Sequence, residues 1–369
     1  MKTIAAWAVF ATYILRYPFY RMGLLKRLSF IDQWMHIQLV FRQITGMDHK
    51  VRLRGLEHVP QKHPAIYAGN HTKLDDPFYL CYAVQEATKY RNHIRFVMRD
   101  DFFEGFPWTI LPVDVNEVAR MGGAHLISLD NVQLSQLKPL IQLLGEPFSF
   151  GIFPGRSRSR SGLTLEYRDG IEEPGSVAFF LAQAQRKHSG TPIPAVPVAR
   201  TCNPVSGVST VNVGPPHFLP AAARREEQRA FDDALVVAIG ELVEINMPHV
   251  VSGLLYLYCL HGYTAAISHE ALLHAAETAL TRCAHRFVDP AAQTHGKEEL
   301  ARTLKYLAQL GAVQRQNGVV RPDVRLILSA PPLDTRYRRT NPVKHLANQI
   351  LHFADVVAIL EENAQRLGR

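Results

Sequence analysis

The chain has 369 residues, 47% hydrophobic and 20% charged, a globular balance that excludes disorder, collagen and coiled coil. Its four cysteines (Cys81, Cys202, Cys259, Cys283) form no C-x-x-C pair, which argues against a disulfide framework or cysteine-built zinc site and fits a reducing compartment. The formal net charge of +8 favours an anionic partner: nucleic acid, anionic lipid or a phosphorylated substrate.

Residues 1–50 hold seven basic residues against two acidic ones, with nine aromatics interleaved. Helix-prone sequence of this kind suits a bilayer interface, and an amphipathic helical arm packed on the domain is the alternative. The apolar run 4–15 is short of the ~18–20 residues needed to span a membrane. A signal peptide is a weaker reading, because Arg16 ends the run and no small-residue cleavage site follows.

Strands are then predicted at 51–56, 65–68, 93–98, 124–129, 148–153, 193–199 and 208–213. Helices are predicted between them at 78–86, 133–144 and 177–186. This alternation implies an α/β layer: a mixed sheet flanked by helices, with its site at strand ends. Pro215, Pro216 and Pro220 mark a boundary, after which the pattern turns helical. Helices are expected at 224–244, over 250–267 (as a buried helix), at 268–285 with Ser268 as N-cap, at 298–310, and as one last helix over 343–367. Asn317-Gly318 predicts a hairpin turn within 313–320, so the 298–310 helix, ended by Gly311, and this hairpin together resemble a winged-helix unit. The expected organisation is an arm over 1–50, an α/β domain over 51–220 and a mainly helical domain over 221–369.

Three stretches carry chemistry. The first, Asn70-His71-Thr72-Lys73-Leu74-Asp75-Asp76-Pro77, lies between a buried strand and a helix. A histidine with a nearby carboxylate makes a general base held in one tautomer. The plainer reading is a polar helix-start loop capped by Asp75 or Asp76. The second runs Phe153-Pro154-Gly155-Arg156-Ser157-Arg158-Ser159-Arg160 past the end of a buried strand. Arginines there suit a phosphate gripped by forked, charge-assisted hydrogen bonds, and a solvated basic loop is the alternative. The third, Ile193-Pro194-Ala195-Val196-Pro197-Val198, reads as a wall or an edge strand.

In this order and spacing the three resemble the block signature of the glycerolipid acyltransferases, the glycerol-3-phosphate and lysophosphatidate acyltransferases, over residues 51–216. The first block, Asn-His-x4-Asp-Pro, is met by Asn70, His71, Asp76 and Pro77. The third block is met by Phe153, Pro154, Ser157 in place of threonine, Arg158 and Ser159, with Gly155 and Arg156 where the family has glutamate and glycine. Val196, Pro197 and Val198 meet the fourth. In the second block, the arginine that helps to hold the acceptor phosphate is Leu129 here. Arg156, Arg160 and Arg120 are the cations left for that task. More faintly, 348–353 resembles a C-terminal helix of large glycerol-3-phosphate acyltransferases, with His352 read as structural.

The resemblance implies transfer of an acyl group from a thioester, acyl-CoA or acyl carrier protein, to the hydroxyl of a phosphorylated glycerol or lysolipid. His71 is the implied general base and Asp76 its orienting partner; Pro154, Gly155, Arg156, Ser157, Arg158 and Arg160 are the implied substrate contacts. It implies no resident cofactor and no metal. Acylation of a different lysolipid or hydroxyl lipid, or a degenerate non-catalytic acyltransferase-like binding protein, is the alternative. His269-Glu270 is no zincin motif: His274 comes one position late, about 140° round the helix. G-x-S-x-G, G-x-G-x-x-G and Walker A sequences do not occur.

Residues 1–50 and Arg156, Arg158 and Arg160 together carry the whole positive excess. An anionic membrane surface is therefore the expected partner, on the cytoplasmic side with peripheral or monotopic attachment. Nucleic acid is not expected, because Arg302 and Lys305 on the candidate recognition helix are opposed by Glu298 and Glu299.

Overall fold

The structure, a computed structural model, describes residues 2–25, 40, 43, 50–61, 64–89, 91–99, 115–121, 124–127, 134–144, 148–155, 158–164, 176–188, 192–330 and 340–369. Helix α1 (Lys2–Arg21) opens the chain. It buries Tyr13 and Tyr17, one turn apart, and leaves Ile4, Trp7, Ile14, Leu15 and Phe19 exposed. No helix among the described residues is long and apolar enough to cross a membrane.

The α/β layer runs β1 (Val51–Arg54), β2 (Ile66–Gly69), α2 (Asp76–Thr88), β3 (His93–Arg99), α3 (Val115–Met121), β4 (Ala124–Ile127), α4 (Leu134–Leu143), β5 (Phe148–Ile152), α5 (Val177–Lys187), β6 (Pro194–Cys202), β7 (Ser209–Val213) and β8 (His217–Phe218). The strands form one sheet in the order β1-β7-β6-β2-β5-β3-β4, with β8 also on β6. Pairing is parallel throughout, except that β7 and β8 run antiparallel to β6. All four residues of β2 are buried, as a central strand with both faces covered requires.

Side-chain alternation divides the two faces. Ala65, Tyr67, Val196 and Val198 pack with Leu80, Cys81 and Val84 of α2. Ile66, Ala68, Ala195 and Ala199 point the other way, into a core shared with α5 and the C-terminal helices.

The reading of 193–198 as an edge strand is overturned: β6 lies inside the sheet between β2 and β7. Pro194 is tolerated as the first residue of the strand, and Pro197 because β7 pairs only from Val198 onward and β8 only at Pro194 and Ala195. Pro197 falls in the gap, where an N–H is not needed for either antiparallel ladder.

The remainder is mainly helical: α6 (Arg225–Glu241), α7 (Met247–Leu260), β9 (Ile267–Ser268), α8 (His269–Arg282), α9 (Pro290–Thr294), α10 (Gly296–Gln309), β10 (Val313–Gln316), β11 (Val319–Pro322), α11 (Val324–Ile327), α12 (Pro342–Ala347) and α13 (Ala354–Leu367). The Ser268 hydroxyl accepts from the Ala271 amide at 3.0 Å, the expected N-cap. Asn317 and Gly318 have φ of 48° and 74°, the positive values that a tight hairpin demands, and β9 adds a third strand. The buried helix expected over 250–267 is cut short: it is α7, which ends at Leu260, where the chain turns at Gly262 with φ of 83° and enters strand β9.

The single last helix is a correction. Residues 348–353 interrupt it, separating α12 from α13. The Asn348 amide donates to the Ser161 carbonyl at 3.0 Å and Phe353 is buried, so tertiary contacts override a helix-compatible sequence.

Candidate active site

The site forms where the central strand β2 ends. Asn70 extends the β2–β6 seam with its side chain: Oδ1 accepts from the Arg200 amide at 2.8 Å and Nδ2 donates to the Arg200 carbonyl at 3.0 Å. The next residue, His71, leaves the sheet at the C-terminal edge, where ligands of parallel sheets gather.

Asp76 opens α2 and is 3% exposed. It is not a cap, because its carboxylate turns back onto the loop. Oδ2 accepts from His71 Nδ1 at 3.0 Å and from the Thr72 and Lys73 amides at 2.7 Å each. Oδ1 accepts from Arg200 Nη1 at 2.8 Å. A carboxylate with so many donors is ionised and can only accept, so the His71 proton sits on Nδ1 and the lone pair on Nε2. The imidazole is 19% exposed, open enough to meet a substrate.

The third-block stretch contacts this histidine at two points. Phe153 stacks on the imidazole, centroids 4.3 Å apart at 19°, and is itself backed by Phe96. The Ser159 amide donates to the His71 carbonyl at 2.7 Å. Pro154 and Gly155 are buried in the turn between these contacts, and Arg158 and Arg160 flank Ser159. Arg156 and Ser157 lie outside the described residues.

The C-terminal segment clasps the loop that follows. Asn348 holds the Ser161 carbonyl, and Gly162, with φ of 90°, has its α-carbon against the His345 carbonyl, where a Cβ would come within 2.0 Å. A side chain at 162 is therefore excluded twice, by φ and by space. His352 Nε2 meets the Gly240 carbonyl at 3.3 Å and its Nδ1 the Thr164 hydroxyl at 3.5 Å; burial pushes its imidazole down. Arg120 pairs with Glu117 on α3.

Arg200, Phe153 as a partner of the histidine, and Asn348 are the contributors that spacing alone did not reveal. Arg200 left one trace: a charge inside a buried apolar strand, which needs partners to be there at all. Among the described residues no cluster of histidine, cysteine or carboxylate side chains could hold a metal ion. A cavity of about 10 Å³ sits behind the dyad, lined by Asn70, Asp76, Phe153 and Arg200 among others.

A buried aspartate, an oriented imidazole with a free lone pair and a neighbouring arginine loop can take a proton from a bound hydroxyl. Residues 50–200 match the family model described as Acyltransferase. They form an acyltransferase domain. Its span covers the first, third and fourth blocks on which the glycerolipid acyltransferase resemblance rests. The chain has no match among curated proteins. Among solved structures it is similar to the crystal structure of the 1-acyl-sn-glycerophosphate (LPA) acyltransferase, PlsC, from Thermotoga maritima. That likeness has 16% identity and a TM-score of 0.38, over 66% of this chain and 98% of that one.

Proposed function

We propose that this acyltransferase moves a fatty acyl group from acyl-CoA or acyl carrier protein to a glycerol-phosphate-type acceptor, glycerol-3-phosphate or lysophosphatidate, in phospholipid biosynthesis. The observation that carries the reading is the Asp76–His71 pair with its Nε2 lone pair beside the Phe153–Arg160 loop. His71 Nε2 takes the acceptor hydroxyl proton as the oxygen attacks the thioester carbonyl. The tetrahedral intermediate collapses with loss of the thiolate, and the imidazolium returns the proton to the sulfur. Asp76 orients the ring and balances its charge. Backbone amides after Phe153 stabilise the oxyanion, with Pro154 and Gly155 shaping that turn. Arg158, with Arg156, Ser157 and Arg160, binds the acceptor phosphate.

In this reading residues 51–220 are the catalytic domain and 1–50 an interfacial arm. Residues 221–369 are a helical domain whose α10–β10–β11 unit is winged-helix-like. The exposed apolar face of α1 supports peripheral contact with an anionic bilayer, on its cytoplasmic side. Leu129 in place of the second-block arginine favours one further acceptor class, a lysolipid without a terminal phosphate.

The test is thiol release from acyl-CoA and from acyl carrier protein with a panel of acceptors. His71→Ala, folded by circular dichroism, should lose about 10²–10⁴-fold in turnover. Turnover near that of the unmodified enzyme would remove His71 as the base. Glycerol-3-phosphate and lysophosphatidate should outrun uncharged hydroxyl lipids; the opposite order selects the other acceptor class.

A further inference from the structure

We infer that Arg200, outside the family's sequence blocks, is a positioning residue for the reaction: its guanidinium holds the Asp76 carboxylate in place and takes a share of its charge, and so sets how strongly His71 acts as base. The inference rests on the reading of His71 as general base.

Arg200 is 6% exposed, yet every one of its side-chain N–H groups has an acceptor. Nη1 donates to Asp75 Oδ1 at 2.7 Å and to Asp76 Oδ1 at 2.8 Å. Nη2 donates to Asp75 Oδ2 and Ser209 Oγ at 3.2 Å each, and Nε to the same hydroxyl at 3.3 Å. The guanidinium lies 3.3 Å over the Tyr79 ring, and Asn70 pins its backbone on both sides. The cation is fully committed and has no donor left for substrate.

Asp76 spends Oδ2 on His71 and two backbone amides, which leaves Oδ1 as the oxygen through which a further group can hold the carboxylate and draw on its charge. Arg200 is its partner there. Asp75 and Asp76 are adjacent, and Arg200 bridges them, so one cation is divided between two like charges. The Asp76–Arg200 contact is buried, with side chains 2% and 5% exposed, and is weakly screened by solvent, whereas Asp75 reaches the surface. Burial pushes Asp75 up, but the Arg200 hydrogen bond and charge outweigh it and hold that carboxyl below its usual range. Burial opposes the guanidinium charge, and the Asp76 and Asp75 carboxylates overcome it.

Among the described residues, the other titratable groups against the pair are Lys73, whose charge bears on Asp75 and whose Nζ donates to Cys202 Sγ at 2.8 Å, and Tyr79 from α2. Strand β7 offers the uncharged Ser209, and β5 leads into the ring of Phe153.

The test is the pH profile of kcat/KM for three variants. In Arg200→Met the whole carboxylate charge bears on the imidazole, which keeps its proton to higher pH. The carboxylates themselves also become easier to protonate. The acid limb should move to higher pH and kcat fall about 10- to 100-fold, the order found for groups that hold a reactive ligand from behind. The KM values for thioester and acceptor should change little. Asp75→Asn has the opposite sign: Arg200 then acts on Asp76 undivided, and the acid limb moves to lower pH. A purely structural arginine predicts loss of folded enzyme with no directed movement of the limb. Unchanged rate and limb in Arg200→Met overturn the inference. If that variant does not fold, Asp75→Asn decides, and a limb that stays put or moves up overturns it. His71→Ala separates the two claims: full activity there defeats the general-base reading itself, whereas an inactive His71→Ala beside a normal Arg200→Met defeats only the role of Arg200.

Discussion

Gly151 sets how close the sheet can bring the aromatic stack to the histidine. A Cβ at this position would lie 2.3 Å from the Phe96 ring, and Phe96 stacks on Phe153, which stacks on His71. Gly151→Ala therefore forces the Phe96 ring to shift and disturbs the stack on the imidazole. It should cost about 1–3 kcal/mol by overpacking, read by thermal unfolding, and lower thiol release as well. Adding Phe96→Leu should recover part of both losses; a double variant no better than the single one would show that the ring is not the relay. At this scale the legible residues were those with fixed spacing. His71 and Asp76 stand out because a helix start lets a carboxylate five positions on fold back to the ring. Phe153 was visible as a third-block residue, but no sequence period links it to a histidine in another strand's loop. Arg200 is a lone arginine whose meaning depends on burial and on two aspartates far away in the chain, so it was illegible.

The element with the most divided character is α1. Tyr13 and Tyr17 are buried on one side, while Ile4, Trp7, Ile14, Leu15 and Phe19 face outward beside Arg21 in its last turn. A helix with an unburied apolar stripe and basic ends favours an anionic interface. Ile14→Glu with Leu15→Glu should release the protein from phosphatidylserine-containing vesicles in a flotation assay, while neutral vesicles should bind the unmodified chain less well. Equal flotation of variant and parent would remove α1 as the contact. Strands and helices were largely readable from alternation and 3.6-residue periodicity, and the hairpin from Asn317-Gly318 alone. Two elements were not. The prolines of β6 imitate an edge, because the sequence does not show that two short antiparallel partners leave a gap at Pro197. The break after α12 contains neither glycine nor proline, and the contact that stabilises it, Asn348 to Ser161, spans 187 positions.

At the scale of the molecule, the sheet and the helical region share one continuous core, and an ion cluster joins them. Arg52 pairs with Glu244 at 3.0 Å and with Asp289 at 2.9 Å, and Arg54 reaches the other Glu244 oxygen at 3.0 Å. Close by, on α7, His249 is fully buried. Burial, and after it the charge of His345, push its imidazole down to about 3. An unfolded chain protonates this histidine near pH 6.5, whereas the native state stays neutral until about 3. In that window the unfolded state binds more protons, so stability is fully present above pH 6.5 and lost as the pH falls. The loss approaches about 1.4 kcal/mol per pH unit from this one group. Urea unfolding at pH 7, 6 and 5 should show a steeper acid decline for the parent than for His249→Asn. Parallel declines would mean that His249 is protonated in the native state.

The strand order has a consequence for how the enzyme comes into being. His71 and Asp76 sit at the end of a strand whose two neighbours, β5 and β6, are both made later, and Asn348 follows after them. During synthesis the motif leaves the ribosome long before Arg200 and Asn70 can join, and before the loop over the histidine can be clasped. A fragment that ends ahead of β6 thus carries the signature residues without the contacts that hold them in place. Acyl transfer is in this sense a property of the finished fold, switched on late in the life of the nascent chain.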